Sequence, residues 1–571
     1  MSNFIKTQNS FAHGEVSPTF YTHDNIHGLS RMENMDVLSG GGLSRRFGLQ
    51  HISDIPGDTR LITFSVSDTE NYLLVLSNEN MLIFSDDKLV ANLITPWDTV
   101  ALATLQYAQR FGTMIFVHPE FAPRVLRRTS NGFDLTIFGF EHKPNSTDLN
   151  IPFVRFPDSA GVSISISTSD LGNNYARFTA DQEYWTPDQV GVRLLVQNQQ
   201  WVITQYISST VVIACVNGTY SVPSTAISDW YECAFGDYRG WPTSITFHQD
   251  RLVFGGSKSY PSGIWLSQVG RHHNFDVGTG LDDQAIFITL LSQQRQQICT
   301  VVSSENLQIL TSVGEWAVSS KPLTPSVIDI KQHTSVGSCA SRYLPPQKIE
   351  GATVFISHSL QDIRELSLDE LGQNYNATDL SAFAKHLMQT PLDLAYNPVT
   401  HQLFVVMSGG EMAVLNQNSA LGIRAWGTYK TYGRFCAVAV QDGRTYVVVR
   451  RDNKFALEVF SASALRDADK YDFAYYASAL PLRTSGHNAR QIRIRKITAR
   501  VLNTKSLCIN GNRVPLPDSV YSDTNSGFSG DLSVNVLGTS RDFTTPAWMI
   551  HGNTAHRATI LSVTLHGFYT V

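Results

Sequence analysis

Short apolar segments separated by turn residues dominate the hydrophobic pattern of this chain. Each segment is four to eight residues long and is followed by Gly, Asn, Asp, Ser or Pro, which is typical of a β-strand. The clearest segments are LITFSVSD, YLLVLSN, MLIFSDD, MIFVHP, VVIACVNG, RLVFGGS, TVFISHS, QLFVVMSGG, MAVLNQ, CAVAVQDG and TYVVVRRDN. The pattern therefore predicts a mainly β protein.

Several of these strands are consecutive members of hairpins. SNEN separates one pair, Gly409-Gly410 a second and Asp442-Gly443 a third, and Asp-Gly is a strong signal for a tight hairpin turn. Hairpins repeated at ~20 to 50 residues per unit are typical of a β-propeller, a sandwich or a barrel. The best helical pattern covers Asp379 to Met388, with Asp379 placed as the N-cap.

The spacing of the predicted strands favours a β-propeller scaffold interrupted by an inserted β module. Because propellers commonly close by joining their first and last strands, we expect residues 61–85 to lie beside residues 435–460. We expect the two chain ends to pack together as a separate platform domain. The regions are an N-terminal arm at 1–58, a first propeller part at 59–155, the inserted module at 160–240, a second propeller part at 241–465 and a C-terminal β domain at 466–571.

Composition changes this picture in two ways. Charged residues make up only 16% of the chain against the ~25% usual for soluble domains, which fits a surface covered by partners or a neutral all-β protein. The formal net charge of −5 argues against tight nucleic-acid binding but allows transient contact.

The six cysteines form no C-x-x-C pair and are expected to be free, mostly buried thiols. No apolar run approaches the ~18 residues of a membrane span, and the N-terminus lacks the apolar core of a signal peptide, so we expect a soluble chain without stable membrane insertion.

Enzyme motifs are absent from the sequence. There is no P-loop, H-E-x-x-H, G-x-S-x-G or zinc ribbon, so we expect no cofactor, no metal and no catalytic residues. Two pairs of adjacent residues are predicted to lie in loops without a catalytic or metal-binding role. His272-His273 would point to opposite faces of a strand, and Asp282-Asp283 would serve a glycosidase only with a further carboxylate nearby.

The stretch GGGLSRRFG, Gly40 to Gly48, combines a glycine run with paired arginines. The glycines permit a sharp reversal, and no helix is predicted after them to cradle a phosphate. Arg45 and Arg46 would leave a strand on opposite faces. Ion pairs within or between subunits and contact with DNA or an adaptor protein both remain open for these arginines.

A second basic feature lies between residues 481 and 500. Ile492 and Ile494 alternate with cationic residues, which predicts a half-buried strand. This region contains six cations and no acidic residue: Arg483, Arg490, Arg493, Arg495, Lys496 and Arg500. A solvated face, an intersubunit contact and a DNA channel are the three interpretations.

Several stretches in succession complete the sequence evidence. They are FAHGEVSP at 11–18, RMENMDVLSGGGLSRRFG at 31–48, LQYAQRFGTMIFVHPEFAPRVLRR at 105–128, WPTSITFHQDRLVFGGSKSYPSGIWLSQVGRHHNF at 241–275, and then LQILTSVGEWAVSS, HTSVGS, TVFISHSLQDIREL and IRAWGTYKTYG. Together they resemble the tail nozzle (tail tubular protein B-like) proteins of short-tailed bacteriophages, over nearly the whole chain. Phe47 stands where the family usually has proline, so the φ restraint of proline is missing there.

The resemblance implies a structural protein of the virion tail, made in the host cytoplasm. It implies a homo-hexamer that forms the distal nozzle tube, retains DNA and conducts it to the host during ejection. The implied partners are the tail adaptor (head-to-tail connector) ring, tail fibres or spikes, and double-stranded phage DNA in transient contact. The alternative from another class is a tail-associated glycan depolymerase or a carbohydrate-binding propeller. A fibre-like receptor binder is less favoured because the chain has no repetitive stalk.

Overall fold

A computed structural model defines the fold for most of the chain. It describes residues 2–21, 26–168, 172–320, 322–369, 371–372, 374–462, 474–482, 491–517, 527–540, 545–552 and 557–570. The chain divides into two compact units: unit 1 is Met1–Thr63, Asn71–Ile94 and Leu344–Val571, and unit 2 is Phe64–Glu70 and Thr95–Tyr343. The helices of the described residues are all short: Pro18–Phe20, Thr99–Leu102, Pro187–Gln189, Ala382–Leu387 and Ser419–Leu421. The fold is mainly β.

Seven sets of four antiparallel strands, here called blades 1 to 7, make up much of the described structure. Their strands are Arg60–Ser65, Asn71–Ser77, Asn80–Ser85 and Lys88–Ile94 (blade 1); Gln106–Arg110, Thr113–His118, Phe121–Thr129 and Gly132–Ile137 (blade 2); Ser244–His248, Arg251–Gly255, Gly263–Leu266 and Ile286–Thr289 (blade 3); Ile298–Ser303, Leu307–Thr311, Glu315–Val318 and Ile330–Thr334 (blade 4); Gln347–Ile349, Ala352–Ile356, Ile363–Leu368 and Tyr375–Asp379 (blade 5); Pro391–Asn397, Gln402–Met407, Met412–Asn418 and Ile423–Tyr429 (blade 6); Arg434–Gln441, Arg444–Arg451, Lys454–Ser461 and Gly48–Ile55 (blade 7). Successive four-stranded antiparallel sheets of this kind define a β-propeller topology.

The inner strands of the blades are continuous apolar runs because neighbouring blades cover both of their faces. In blade 6, Leu403 and Val405 pack in one cluster with Val354 of blade 5. The alternate residues Phe404 and Val406 pack in another cluster with residues of blade 7. A strand buried on both faces needs apolar side chains at every position, which is why the pattern shows runs rather than strict alternation.

Blade 7 takes its fourth strand from near the N-terminus. Gly48–Ile55 pairs antiparallel with Lys454–Ser461, with Leu49 opposite Phe460. The expected neighbours also pack together, because residues of blade 1 such as Leu73 share an apolar cluster with Val448. The closing strand, however, is 48–55 rather than a strand within 61–85, so part of the predicted N-terminal arm belongs to the propeller.

The strands predicted from the apolar segments are confirmed, whereas the α-helix predicted for Asp379 to Met388 is wrong. Every apolar segment named from the sequence lies on a strand. Asp442 and Gly443 both have positive φ, 51° and 72°, as a two-residue hairpin turn of the I′ type requires. Asp379 ends a strand of blade 5 instead of capping an α-helix, and only a 3₁₀ helix, Ala382–Leu387, follows it. Asp379 pairs with Arg364 in that blade, so it belongs to the strand and is not the N-cap of an α-helix.

A separate seven-stranded sheet belongs to unit 2. Its strands are Phe153–Val154, Ile164–Thr168, Tyr175–Ala180, Arg193–Val196, Gln199–Ser208, Val211–Val216 and Trp230–Cys233. Three buried tryptophans, Trp185, Trp201 and Trp230, lie in its own apolar cluster. The sheet occupies the region where the sequence predicts the inserted module.

The two chain ends meet in unit 1 through two sheets. The terminal sheet, as it is called below, contains Ser2–Gln8, Met35–Val37, Leu43–Arg45, Gln491–Thr504, Phe528–Ser540 and Thr559–Thr570. A second group extends the sheet of blade 6 through Gly14–Glu15, Gly28–Glu33, Tyr475–Ala479, Met549–Gly552, Cys508–Ile509 and Asn512–Arg513. One apolar cluster joins them and includes Phe11, Ile497 and Trp548. N-terminal and C-terminal residues therefore share a core.

The cysteines are free thiols, but they are less buried than the sequence suggested. Cys299 is buried, and the other five are half-buried. Most of them lie on or beside strands with one side exposed, so the expectation of mostly buried thiols was wrong.

The closing strand of blade 7 yields a stability prediction. Leu49 is 3% exposed, and its replacement by alanine removes buried apolar contacts between blades 6 and 7. We expect Leu49→Ala to lower the free energy of unfolding by about 3 kcal/mol. The check is urea unfolding followed by tryptophan fluorescence. His51→Ala on the same strand is the control: its partner Asp54 is exposed, so a loss as large as that of Leu49→Ala would contradict the prediction.

Candidate nucleic-acid interface

The candidate interface is the exposed face of the terminal sheet, where Gln491–Thr504, here called the basic strand, runs through the middle. It pairs with Thr559–Thr570 on one side and Phe528–Ser540 on the other. Ile492 and Ile494 are buried, 4% and 7% exposed, so the apolar positions of this strand face the core as predicted. The strand forms because alternating β-branched residues bury one face while long cations remain in solvent.

A β-bulge places two neighbouring cations on the same face. Ile494 pairs with Gly567 and Lys496 with His566, so two residues of the basic strand advance against one residue of its partner. Buried positions accordingly change from even numbers, as at Ile494, to odd numbers, as at Ile497. Arg495 and Lys496 are therefore both exposed, which a regular strand does not allow.

The apolar pattern of the sequence itself indicates this bulge. The apolar residues Ile492 and Ile494 are followed by Ile497, Ala499 and Val501, so the alternation slips by one residue between 494 and 497. A strand that keeps one buried face needs an extra residue at that slip.

The cations on this face have different surroundings. Arg500 donates to both carboxylate oxygens of Asp531 at 2.8 and 3.1 Å, so its charge is neutralised. Arg495 lies over the ring of Phe568, 5.0 Å from its centroid, which fixes the guanidinium without neutralising it. Within the described ranges, no carboxylate forms an ion pair with Arg493, Arg495 or Lys496. Three cations thus remain to attract anions.

Hydroxyl groups lie on this face together with the cations, and Ile5 is an exposed apolar residue of the same face. Thr498 and Ser533 are linked across strands by a 3.0 Å hydrogen bond, and so are Thr7 and Thr564. His566 lies beside Lys496 in register. A surface with hydroxyl groups and a few unneutralised cations can contact phosphate groups without base-specific readout.

The remaining sequence candidates lie elsewhere. Arg483 and Arg490 lie outside the described residues. Arg45 and Arg46 are 4% and 1% exposed, so both are enclosed by their own chain and are not presented to DNA or to a second subunit. The predicted turn before them is present: Leu38 and Gly42 are hydrogen-bonded, and Gly41 has a φ of +83°.

Arg46 lies at the junction between the terminal sheet and blade 7. Its Nε donates to Asn34 Oδ1 at 2.7 Å, Nη1 to the Phe47 carbonyl at 2.7 Å and Nη2 to the Lys430 carbonyl at 2.6 Å. Its guanidinium also lies 5.3 Å from the ring centroid of Tyr429. Burial lowers the pKa of Arg46 to about 10, which leaves it charged at neutral pH. This arginine holds three segments of unit 1 together.

Asp36 lies close to this junction. Its Oδ1 accepts hydrogen bonds from the Tyr429 hydroxyl and from Gln402 Nε2, the latter at 2.7 Å. Burial raises the pKa of Asp36 to about 6, although the two hydrogen bonds and the nearby Arg46 charge act in the opposite direction. The residue is therefore a candidate for pH-dependent stability.

Neither His272-His273 nor Asp282-Asp283 acts as a pair, because the two histidines have different partners and the two aspartates are exposed. His272 Nε2 contacts Arg110 Nη1 at 2.7 Å, whereas His273 stacks on Phe138. Asp282 and Asp283 are exposed and do not line the 290 Å³ cavity of unit 2, which is lined by residues such as Trp241. Among the described residues, no group of three or more His, Cys, Asp or Glu side chains is arranged to hold a metal ion.

Comparison with known proteins shows no family for this chain. No family model matches the chain, and no curated protein matches it. Among solved structures, the chain is similar to the RRP9 WD40 repeats, with 6% identity, a TM-score of 0.34 and coverage of 73% of this chain and 100% of that one. It is similar to BamB from Moraxella catarrhalis, with 9% identity, a TM-score of 0.33 and coverage of 72% and 97%. A third is the Myceliophteria thermophila Cps50 (Swd1) β-propeller domain, with 9% identity, a TM-score of 0.28 and coverage of 72% and 99%.

The class of protein is thus a mainly β chain with propeller blades, and the strand topology described above defines it. The helices of the described ranges include none long and apolar enough to span a membrane.

The Arg46 junction generates a stability prediction. We expect Arg46→Ala to lower the free energy of unfolding by about 3 kcal/mol, because it removes a buried side chain and takes its donor from the Phe47 and Lys430 carbonyls. The change is measured by urea unfolding. Arg493→Ala, which removes an exposed arginine from the basic strand, is expected to change it by less than about 0.5 kcal/mol. Equal effects of the two variants would contradict the structural role of Arg46.

Asp36 generates a pH prediction. In the folded chain the pKa of the Asp36 carboxyl is about 6, above the ordinary value of 3.8 that we take for the unfolded chain. Between these two pH values Asp36 therefore binds a proton in the folded chain but not in the unfolded chain. Stability should therefore fall as pH rises from 4 to about 6.5, by at most about 3 kcal/mol at ~1.4 kcal/mol per pKa unit. Asp36→Asn should remove this component from melting curves recorded across that range. The exposed Asp54→Asn should leave it in place, and a pH profile unchanged in Asp36→Asn would exclude Asp36 as its source.

Proposed function

We propose that this chain is a structural component of a short-tailed bacteriophage tail that forms the distal nozzle, retains DNA and conducts it to the host. It acts without catalysis, as a homo-hexamer that contacts the adaptor ring and the tail fibres or spikes. The ordered resemblance along the sequence supports the family. The observation that carries the DNA contact is the exposed face with Arg493, Arg495 and Lys496 on an otherwise acidic chain.

The number of cations suits a conduit. Each phosphate neutralised by a protein cation adds affinity through counterion release, so a channel lined by many arginines would hold its DNA too tightly to release it. Here Asp531 neutralises Arg500, and three cations of the described basic strand remain in each copy. Hydroxyl groups between them offer weak hydrogen bonds to phosphate oxygens. The face is suited to transient, sequence-independent contact.

The proposal predicts a change in the salt dependence of DNA binding. Arg493→Glu with Arg495→Glu should make the slope of log affinity against log salt concentration shallower by about 2, because two phosphate contacts are lost. The measurement is a titration of the assembled protein with duplex DNA at several salt concentrations. In the virion, the same variant should alter DNA retention or the rate of ejection.

A matched control and a contradicting result can be stated. The control is Arg450→Glu on blade 7, where Arg450 contacts Asn453. It changes the charge by the same amount per site and should leave the slope of log affinity against log salt concentration unchanged. If the double variant and the wild type bind DNA with the same slope, the basic strand is not the DNA surface. Hollow rings in electron micrographs would support the nozzle, whereas turnover of host capsule or lipopolysaccharide would favour the glycan depolymerase instead.

A further inference from the structure

Ser2–Gln8 and Phe528–Ser540 are the two long outer strands of the terminal sheet. The short strands Leu43–Arg45 and Met35–Val37 lie on the same side of Thr559–Thr570 as Ser2–Gln8, beside its first two residues. Across the sheet the order is Phe528–Ser540, the basic strand, Thr559–Thr570 and Ser2–Gln8. Within the described part of the chain, each outer strand pairs on one side only. The free sides carry backbone N–H and C=O groups that another strand can pair with.

The edge Phe528–Ser540 lacks the usual protection against pairing, and the edge Ser2–Gln8 carries one lysine, Lys6. The strand Phe528–Ser540 has 13 residues with no proline, lysine or arginine, and its one charge, Asp531, is paired with Arg500. On the opposite edge, Ile5 is 71% exposed, although it belongs to a regular strand. A long edge without proline or lysine is a feature of edges that become covered by another strand.

The strand directions allow the two edges to pair with each other in a second copy. All three pairings across the four strands are antiparallel, so the two outer strands run in opposite directions. When copies are related by rotation, Ser2–Gln8 of one copy therefore meets Phe528–Ser540 of the next as an antiparallel neighbour. An even number of strands per copy preserves this alternation around a closed ring, and such head-to-tail contacts generate rings.

We propose that copies of this chain assemble by pairing the N-terminal strand Ser2–Gln8 of one copy with the strand Phe528–Ser540 of the next. The terminal sheets then form one continuous barrel whose inner face carries Arg493, Arg495 and Lys496. The copy number rests on the proposed nozzle function. Four strands from each of six copies, at ~4.8 Å spacing and ~40° tilt, enclose a lumen of about 25 to 35 Å, which admits one DNA duplex.

Paired cysteines test the contact. Thr7 lies near the end of its edge strand and Asn535 near the middle of the other, and both are exposed on the face that carries the basic strand. Within one chain they are separated by three strand spacings, ~14 Å, so a disulfide between them must join two chains. We expect Thr7→Cys with Asn535→Cys to give a ladder of linked chains on non-reducing gels, at least about five-fold above either single variant.

Controls cover register and background. The register between the two edge strands is covered in two ways. A thiol cross-linker shorter than the ~14 Å separation within one chain links the cysteines even when they are not directly opposite each other. Thr7→Cys with Ser533→Cys tests a register shifted by two residues. Thr7→Cys with Val399→Cys, at a 72% exposed loop residue, controls for chance encounters, and the wild type controls for the native thiols. Melting curves confirm that each variant is folded.

The outcomes separate this inference from the proposed function. Rings in electron micrographs together with a ladder support both. Rings without cross-links in either cysteine pair overturn the edge pairing and leave the nozzle standing. A chain that sediments as a monomer at high concentration overturns both.

Discussion

The requirement that blade 7 obtain a fourth strand organises unit 1. Gly48–Ile55 supplies this strand, so the chain must leave the terminal sheet at Arg45 and enter the propeller at Gly48. Arg46 lies between the two sheets, where its three donors satisfy acceptors from Asn34, Phe47 and Lys430. A guanidinium suits this position because it is planar and presents several donors in fixed directions. The glycines and arginines of GGGLSRRFG thus form a hairpin turn followed by a buried junction.

The same constraint brings the chain ends into one core. Once 48–55 is held in blade 7, the preceding strands lie beside the C-terminal strands, and Phe11 contacts Trp548 edge-on, with their ring centroids 6.1 Å apart. The terminal sheet then buries one face in this core and leaves the other face, with its cations, in solvent. Packing of the chain ends and presentation of the basic strand are therefore two consequences of one arrangement.

The proposed role depends on a balance of charge rather than on a strong site. The chain has a net charge of −5, and the Asp531 carboxylate removes one arginine from the basic strand. The bulge between Ile494 and Lys496 increases the positive charge of the exposed face, because it keeps Arg495 and Lys496 together on that face. A moderate positive surface results, as suits a polyanion that must move.

The sequence by itself determined the strands, because an inner strand covered on both faces must be apolar throughout, and that requirement is visible as runs such as QLFVVM. It also indicated the tight turn at Asp442-Gly443 and the buried alternation of Ile492 and Ile494. Only the tertiary structure decided that 48–55 closes blade 7 and that Arg46 is buried while Arg493 is exposed. These outcomes depend on contacts between residues hundreds of positions apart, such as Leu49 and Phe460, and an arginine has the same local pattern in either setting. The physical reason is that burial and strand pairing are properties of the partner segment as much as of the residue itself.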